Sequence, residues 1–201
     1  MYYILTIFIC AIIIYVPNAF TNPAGVDMPW VYYLLAVVIF IAASVLVDGI
    51  VAFVIRRLPA KWMNSDKGMI KTRKWEQKLY DKIKVPSWKK FMPDLGAFTK
   101  FPKGQILDPK NNEYIERFIL EASYGAVIHY LSVPFSALIL LLGFIKPGDM
   151  TLFSVGVPVM FVNMVLILLP ALSLKYNIPK LKRIYDMNVR LANKKAQKQK
   201  A

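Results

Sequence analysis

The chain contains 201 residues, of which 57% are hydrophobic, and its formal net charge is +14 at pH 7. This hydrophobic content suits a lipid bilayer better than water, so the composition argues against a soluble domain and predicts an integral membrane protein. Cys10 is the only cysteine, which excludes a disulfide framework and a CxxC metal or redox motif.

Four apolar stretches each approach or exceed the roughly 20 residues that a membrane-spanning helix needs. The first lacks the basic residues and the small-residue cleavage site of a signal peptide, so we interpret it as a retained anchor. The sequence therefore predicts an all-α integral membrane protein with four transmembrane helices, and a cytoplasmic amphipathic helix and loop between spans 2 and 3. The predicted spans are Tyr2 to Phe20, Trp30 to Ile55, Phe118 to Ile145 and Thr151 to Leu174.

Lysine and arginine are distributed unevenly along the chain. Residues 56–117 hold 16 of the 26, the tail from Lys175 holds 9, and Lys146 is the remaining one. By the positive-inside rule both termini and the long central segment are cytoplasmic, which predicts a multi-pass protein of the cell membrane. The same cations are expected to attract the anionic leaflet, by about 1 kcal/mol each. A nucleic-acid partner is not predicted, because the basic residues flank the spans and no recognition motif accompanies them.

This topology divides the chain into four predicted segments. The first pair of transmembrane helices and the second pair, which carries the proposed site, are separated by a basic interfacial segment, and a basic cytoplasmic tail follows. The last ten residues, "ANKKAQKQKA", predict disorder. The segments are residues 1–55, 56–117, 118–174 and 175–201.

The first half of the central segment predicts an amphipathic helix. A cap-type cluster at Asn64 to Asp66 precedes Trp75, Leu79 and Ile83, which recur at helical spacing among lysines, and Pro86 follows. We interpret this pattern as a helix at the membrane interface. The alternative is a solvated basic linker with incidental apolar residues.

The second half of the central segment is rich in proline and aromatic residues. Proline disfavours regular secondary structure, so we expect an ordered loop that is anchored by its aromatic side chains. The aromatic residues are Trp88, Phe91, Phe98 and Phe101, and the prolines are Pro86, Pro93, Pro102 and Pro109.

Glu121 and His129 lie inside the predicted third span, and His129 is the only histidine in the chain. At about 1.5 Å per residue from Arg117, Glu121 lies roughly 6 Å and His129 roughly 18 Å below the boundary. Asn163 reaches about the same depth as His129 when counted from Lys175, so these two could share one layer. The roughly 12 Å between Glu121 and His129 excludes a direct hydrogen bond on a straight helix.

Each buried polar residue also has a plain structural interpretation. His129 could hydrogen-bond between helices, and Asn163 could be a packing amide. Glu121 could reach the interface or pair with lysine or arginine there. Asp48 has no motif around it, and we interpret it as mainly structural.

Several kinds of site are absent from the sequence. One histidine and scattered carboxylates do not supply a zinc-type ligand set, so no metal is predicted. Ser132 or Ser136 could join His129 in a triad, but no GxSxG turn supports this. No glycine-rich nucleotide loop is present.

Three motifs, taken in order along the chain, resemble the glycosyl-4,4'-diaponeurosporenoate acyltransferase family of small bacterial membrane proteins. They read "WKKFMPDLGAFTKF", "ERFILEASYGAVIHY" and "KYNIPKL", and the resemblance extends from about Lys74 to Arg183. Lysine replaces both arginines of the family's third motif, and Asn163 lies further from that motif than the family's asparagine does. The matching residues are Trp88, Lys89, Pro93 and Asp94, then Glu121, His129 and Tyr130, then Lys175, Tyr176, Asn177, Lys180 and Leu181.

The resemblance implies transfer of a fatty acyl group from an acyl-CoA-type donor to a hydroxyl of a lipid-linked, glycosylated acceptor. The donor is expected to be a cosubstrate, and no tightly bound cofactor is implied. The expected partners are membrane lipids of the anionic leaflet, the lipid-linked acceptor and the acyl donor. The alternative is a non-enzymatic membrane scaffold or accessory subunit, and a further one is another transferase acting on the same lipids.

The implied chemistry assigns roles to individual residues. An alcohol that attacks a thioester must lose its proton, and His129 is the expected general base. Glu121 is expected to orient His129 indirectly or to bind acceptor hydroxyls, while Asn163 and Tyr176 donate hydrogen bonds to the oxyanion. The residues expected to hold donor phosphates are Lys175, Lys180 and Arg183. The other substrate-binding residues implied by the motifs are Trp88, Asp94 and Asn177.

Overall fold

The computed structural model describes residues 8, 9, 12, 30–91, 101, 106–145 and 151–200. All regular secondary structure in these residues is helical, as the sequence predicts. Short 3-10 segments cover Ala60–Trp62, Lys89–Phe91 and Ser136–Ile145. The α-helices are α1 (Trp30–Arg56), α2 (Lys74–Lys82), α3 (Val85–Trp88), α4 (Asn112–Phe135) and α5 (Thr151–Lys200).

Three helical segments in the described part of the chain are long and apolar enough to cross a membrane. They are Val31–Arg56, Asn112–Ile145 and Leu152–Gln199, and they correspond to the predicted second, third and fourth spans. The predicted first span, Tyr2 to Phe20, lies outside the described residues except at positions 8, 9 and 12. Three spans are therefore found where the sequence predicts four.

The predicted third span is not one uniform α-helix. It changes to a 3-10 helix at Ser136, immediately after the turn that contains Pro134. Proline has no N–H to donate to the preceding turn, and its ring crowds the carbonyl there, which loosens the α-helical pattern. At the point of change, Ser136 Oγ donates a hydrogen bond to the Ser132 carbonyl at 2.9 Å.

The prediction of disorder for the end of the tail is wrong for residues 192–200. Helix α5 continues to Lys200, and its residues beyond Arg190 are exposed wherever their burial is described. Alanine, lysine and glutamine have high helix propensity, and extending an existing helix avoids the cost of nucleation.

The chain forms two compact units. Unit 1 comprises Met1–Val54 with Ile128–Leu168, and unit 2 comprises Ile55–Val127 with Leu169–Ala201. Each unit thus combines segments that are distant in sequence. Local sequence patterns do not reveal such a division, because it depends on which distant segments pack together.

The core of unit 1 joins α1 to α5 and to the 3-10 segment. Phe40 is 1% exposed at its centre, and a Cβ atom at Gly156 would lie only 2.5 Å from the Phe40 ring. Glycine at position 156 therefore allows the two helices to approach closely, as small residues do at membrane helix interfaces. The buried members of this core are Ala36, Val37, Phe40, Ile139, Val155, Val159 and Met160.

Helix α2 begins later than the sequence predicts. Asn64 Oδ1 accepts a hydrogen bond from the Asp66 N–H at 2.8 Å, so the predicted cap cluster forms a local turn instead. The helix begins at Lys74, where the Glu76 carboxylate accepts a hydrogen bond from the Arg73 N–H at 2.6 Å. This capping arrangement satisfies one of the free N–H groups at the helix start.

The face of α2 that is buried against the protein is not the face that carries the predicted apolar stripe. Glu76 and Tyr80 are buried, whereas the predicted apolar stripe of Trp75, Leu79 and Ile83 is exposed, with Trp75 58% accessible. The stripe is therefore an apolar surface that the described chain leaves uncovered.

The proline-rich segment contains more helix than the sequence predicts. It forms the short helix α3 and the 3-10 turn Lys89–Phe91, whereas residues 92–100 and 102–105 lie outside the described part. Phe101, one of the predicted anchoring residues, packs against two aromatic rings of α4. Its ring centroid lies 5.4 Å from that of Tyr114 and 5.5 Å from that of Phe118.

Candidate functional site

Unit 1 contains a group of polar side chains within its membrane-spanning helices. Asn163 Nδ2 donates a hydrogen bond to Ser136 Oγ at 3.2 Å, and Asp48 lies close enough to Ser132 and Asn163 to interact with both. Asp48 Oδ1 and Ser132 Oγ are nevertheless buried without a hydrogen-bond partner among the described residues. We call Asp48, Ser132, Ser136 and Asn163 the membrane polar cluster.

His129 also belongs to unit 1, where it is partly buried on α4. The polar contacts of Asn163 are with Ser136 and Asp48. The predicted shared layer of His129 and Asn163 stays a prediction.

Glu121 belongs to unit 2 and is paired with two arginines. Its carboxylate lies 3.1 Å from Arg56 Nη1 and 2.9 Å from Arg117 Nη2, and its side chain is 15% exposed. The interpretation of Glu121 as an ion-pair partner is therefore confirmed. Nearby, Tyr124 donates a hydrogen bond to the Leu58 carbonyl at 2.7 Å, which ties α4 to the chain that follows α1.

A buried ion pair joins α2 to α5 within unit 2. Lys175 Nζ lies 2.5 Å from Glu76 Oε1, and the two residues are 5% and 7% exposed. Thr72 Oγ1 donates a hydrogen bond to the Lys175 carbonyl at 3.0 Å. Lys175, a predicted phosphate-binding residue, is thus committed to a carboxylate in the protein interior. The contact with Glu76 gives Lys175 a packing role, and its binding of phosphate stays a prediction.

Tyr176, which directly follows Lys175 in the sequence, contacts Lys89 and Lys180. Lys180 Nζ donates a hydrogen bond to the Tyr176 hydroxyl at 2.8 Å and lies 4.2 Å from the ring centroid. Lys89 Nζ lies 5.3 Å from the same centroid and donates a hydrogen bond to Asn177 Oδ1 at 2.7 Å. We call Lys89, Tyr176, Asn177 and Lys180 the Tyr176 cluster.

The Tyr176 cluster carries positive charge, and the described residues supply it with no acidic partner. In the described part of the chain, no carboxylate pairs with Lys89 or Lys180. Burial lowers the pKa of the half-buried Lys89 ammonium, and the nearby charge of Lys180 lowers it further. The two ammonium groups repel each other, and a bound anion would offset this repulsion.

Three further predicted substrate-binding residues, Trp88, Arg183 and Asp94, are not members of these two clusters. Trp88 Nε1 donates a hydrogen bond to the Ile83 carbonyl at 2.9 Å, so its indole N–H has a local partner. Arg183 is exposed on the later part of α5, beside an open groove that Asp186 and Arg190 also line. Asp94 lies outside the described residues.

Sequence reasoning missed three contributors. Lys89 lies within a matched motif, but its role depends on contact with Asn177, 88 positions away. Glu76 sits in a basic helix, and the i+3 capping pattern to Arg73 was its only local signal. Asp48 acquires interest through Ser132 and Asn163, which lie on other helices, and depth counting does not show which side chains of different helices meet. In the range that the structure describes, no group of three histidine, cysteine or acidic residues could hold a metal ion.

Comparison with known proteins gives one match. The family model for glycosyl-4,4'-diaponeurosporenoate acyltransferase matches residues 59–187, which is well over half of the chain. No significant match is found among curated proteins or solved structures. The matched range contains α2 to α4 and the part of α5 that includes the Tyr176 cluster.

Proposed function

The chain belongs to the glycosyl-4,4'-diaponeurosporenoate acyltransferase family, and from this membership we infer that it is a membrane acyltransferase acting on a glycosylated, carotenoid-like acceptor. The observation that carries the proposal is the extent of the match, residues 59–187, which includes Glu121, His129 and the "KYNIPKL" motif. The apolar helices support it, because an isoprenoid acceptor and an acyl chain both partition into a bilayer.

We assign the proton transfer to His129. Its neutral imidazole accepts the proton of the acceptor hydroxyl while the hydroxyl oxygen attacks the thioester carbonyl of an acyl-CoA-type donor. The tetrahedral intermediate then collapses with cleavage of the C–S bond, and the imidazolium returns the proton to the departing thiolate. Asn163 is the amide that we propose for the oxyanion, because its Nδ2 supplies hydrogen-bond donors within the membrane polar cluster.

We assign the anionic part of the donor to the Tyr176 cluster. The phosphates of an acyl-CoA-type donor need cations that are not already neutralised, and Lys89 and Lys180 pair with no carboxylate among the described residues. Arg183 is exposed on the same helix and is proposed as an outer contact. Trp88, Asn177 and Asp94 are proposed to shape or extend this region, on the basis of the motif match. Glu121 is proposed to hold α4 through its two arginines and not to act as a base.

The exposed stripe of α2 suggests how unit 2 meets the membrane. Trp75 and Leu79 are apolar, exposed and surrounded by lysines, which is the pattern of a helix that rests at the interface of an anionic leaflet. We propose that the stripe rests on the cytoplasmic leaflet of the cell membrane, with both chain termini on the same side.

The direct test is reconstitution of the purified protein into lipid vesicles. Glycosyl-4,4'-diaponeurosporenoate and a labelled acyl-CoA would be supplied, and the lipid product would be analysed by mass spectrometry. We expect acceptor molecules whose mass has increased by one acyl group, together with release of free thiol. A protein that leaves the acceptor unchanged while remaining folded would favour the scaffold alternative.

Lys89→Met is expected to weaken donor binding. Loss of a charge-assisted contact to a phosphate should raise the KM for acyl-CoA roughly tenfold or more, with a smaller effect on kcat. The matched control is Lys78→Met, which removes an exposed lysine from α2 and should leave the KM unchanged. Equal donor KM values for the two variants would contradict the assignment.

The lowered pKa of Lys89 gives the same proposal a pH signature. Because the ammonium binds the anion, donor affinity should fall as the pH rises through this pKa, which lies below that of an ordinary lysine. Lys89→Arg keeps its charge over that range and should remove this part of the pH dependence.

A further inference from the structure

The membrane polar cluster buries two oxygen atoms for which the described part of the chain supplies no hydrogen bond at normal geometry. Asp48 Oδ1 and Ser132 Oγ are both inaccessible, and neither has a hydrogen-bond partner at normal geometry among the residues that the structure describes, although the Asp48 carboxyl group lies near Ser132 and Asn163. Ser132 as a whole is only 1% exposed. In the interior of a membrane no bulk water is available to satisfy such atoms, so leaving them empty is costly. Polar groups in this situation commonly mark a functional site.

The remaining atoms of the cluster fix what these two oxygens can bind. Ser136 Oγ donates to the Ser132 carbonyl at 2.9 Å and accepts from Asn163 Nδ2 at 3.2 Å, so its hydroxyl proton and one lone pair are already used. A carboxylate oxygen can only accept a hydrogen bond, and a serine hydroxyl can donate or accept. A ligand hydroxyl complements both oxygens, because it can donate to the Asp48 carboxylate and accept from the Ser132 hydroxyl, whereas an anion would be repelled by Asp48.

We propose that Asp48 and Ser132 bind a sugar hydroxyl of the glycosylated acceptor, with Asp48 Oδ1 accepting a hydrogen bond from that hydroxyl. The proposal rests on the proposed acyltransferase function and names the residues that would recognise the acceptor. Ser132 lies three residues after His129 on α4, and both belong to unit 1. Residues three apart are neighbours on one helix face, so a sugar held by Ser132 would lie one turn from the proposed base.

The experiment compares Asp48→Asn with Ser44→Ala in the reconstituted protein. Asp48→Asn keeps the side-chain shape but removes the charged acceptor. Ser44 lies one turn earlier on α1 and is also buried, but its Oγ already donates to the Phe40 carbonyl at 2.9 Å. The measured quantities are the KM for glycosyl-4,4'-diaponeurosporenoate, the KM for acyl-CoA, and thermal stabilisation of the protein by the acceptor alone.

We expect Asp48→Asn to raise the acceptor KM roughly ten- to one-hundredfold and to weaken acceptor stabilisation, with the donor KM unchanged. Ser132→Ala should act in the same direction, and Ser44→Ala should resemble the wild type. We also propose testing acceptor analogues that each lack one sugar hydroxyl. With the wild-type protein, the KM of one analogue should rise by a similar factor. With Asp48→Asn, the same analogue should show no further rise in KM relative to the intact acceptor.

Three outcomes would overturn the proposal. An Asp48→Asn protein with a wild-type acceptor KM would indicate a structural residue. So would one in which the KM values of both substrates rise equally and the melting temperature falls. Stabilisation by sodium ions that Asp48→Asn abolishes, without an acceptor effect, would indicate a cation site. A wild-type protein that neither binds nor acylates the acceptor would overturn the proposed function as well, and this result is distinct from the first two.

Discussion

Substitution of His129 by glutamine is expected to lower acyl transfer by about 10²- to 10⁴-fold, which is the usual contribution of a general base. Glutamine retains much of the size and hydrogen-bonding capacity of histidine but cannot accept the hydroxyl proton. The variant should therefore insert into the membrane and bind both substrates. The measurement is kcat in vesicles, with acyl-CoA and acceptor both above their KM values.

Ser123→Ala is the matched control for the His129 variant. Ser123 is fully buried on the same helix, and its Oγ donates to the Ile119 carbonyl at 2.7 Å within that helix. This change should leave kcat close to the wild-type value. If His129→Gln also retained wild-type turnover, His129 would not be the base. If it instead lost thermal stability in a protein that has no turnover, the residue would be a packing group of a scaffold.

Substitution of Lys175 by methionine should destabilise the protein by about 3–5 kcal/mol, because it leaves the Glu76 carboxylate buried without its partner. Replacing both residues with apolar ones, in Glu76→Leu with Lys175→Met, should recover most of that loss, since no uncompensated charge remains. The measurement is the free energy of unfolding in detergent, followed by the loss of helical signal.

Lys182→Met provides the comparison for the buried pair. Lys182 is ion-paired with Asp66, but the two side chains are 30% and 68% exposed, so this change should cost no more than about 1 kcal/mol. If Lys175→Met cost as little as Lys182→Met, the Glu76 pair would not hold α2 against α5. Lys175 would then become available again as a substrate-binding residue.

The parts of the fold that could be predicted from sequence depend on local composition. Runs of apolar residues identified the three spans that the structure describes, because their length and hydrophobicity suffice. Depth counting placed Glu121 near the basic boundary, where Arg56 and Arg117 now pair with it. The start of α2 was misplaced because asparagine and aspartate favour local turns as readily as helix caps.

The candidate site was less predictable, because its contacts join distant segments. The Tyr176 cluster brings the α3 region to α5, and no periodicity in either segment indicates that Lys89 meets Asn177. The third motif predicts the same phosphate-binding role for Lys175 and Lys180, but their environments differ. Lys175 is buried against Glu76, whereas Lys180 contacts Tyr176. Asp48 lacked a motif, and only its proximity to Ser132 and Asn163 gives it a role.

Acyl transfer itself is tested most directly by mass spectrometry of lipids from cells that make glycosyl-4,4'-diaponeurosporenoate, with and without this protein. We expect the protein to convert the glycosylated lipid into a product heavier by one fatty acyl group, and the His129→Gln variant to leave the precursor unconverted. An identical lipid profile in the presence and absence of the correctly inserted wild-type protein would contradict acyltransferase activity toward this acceptor.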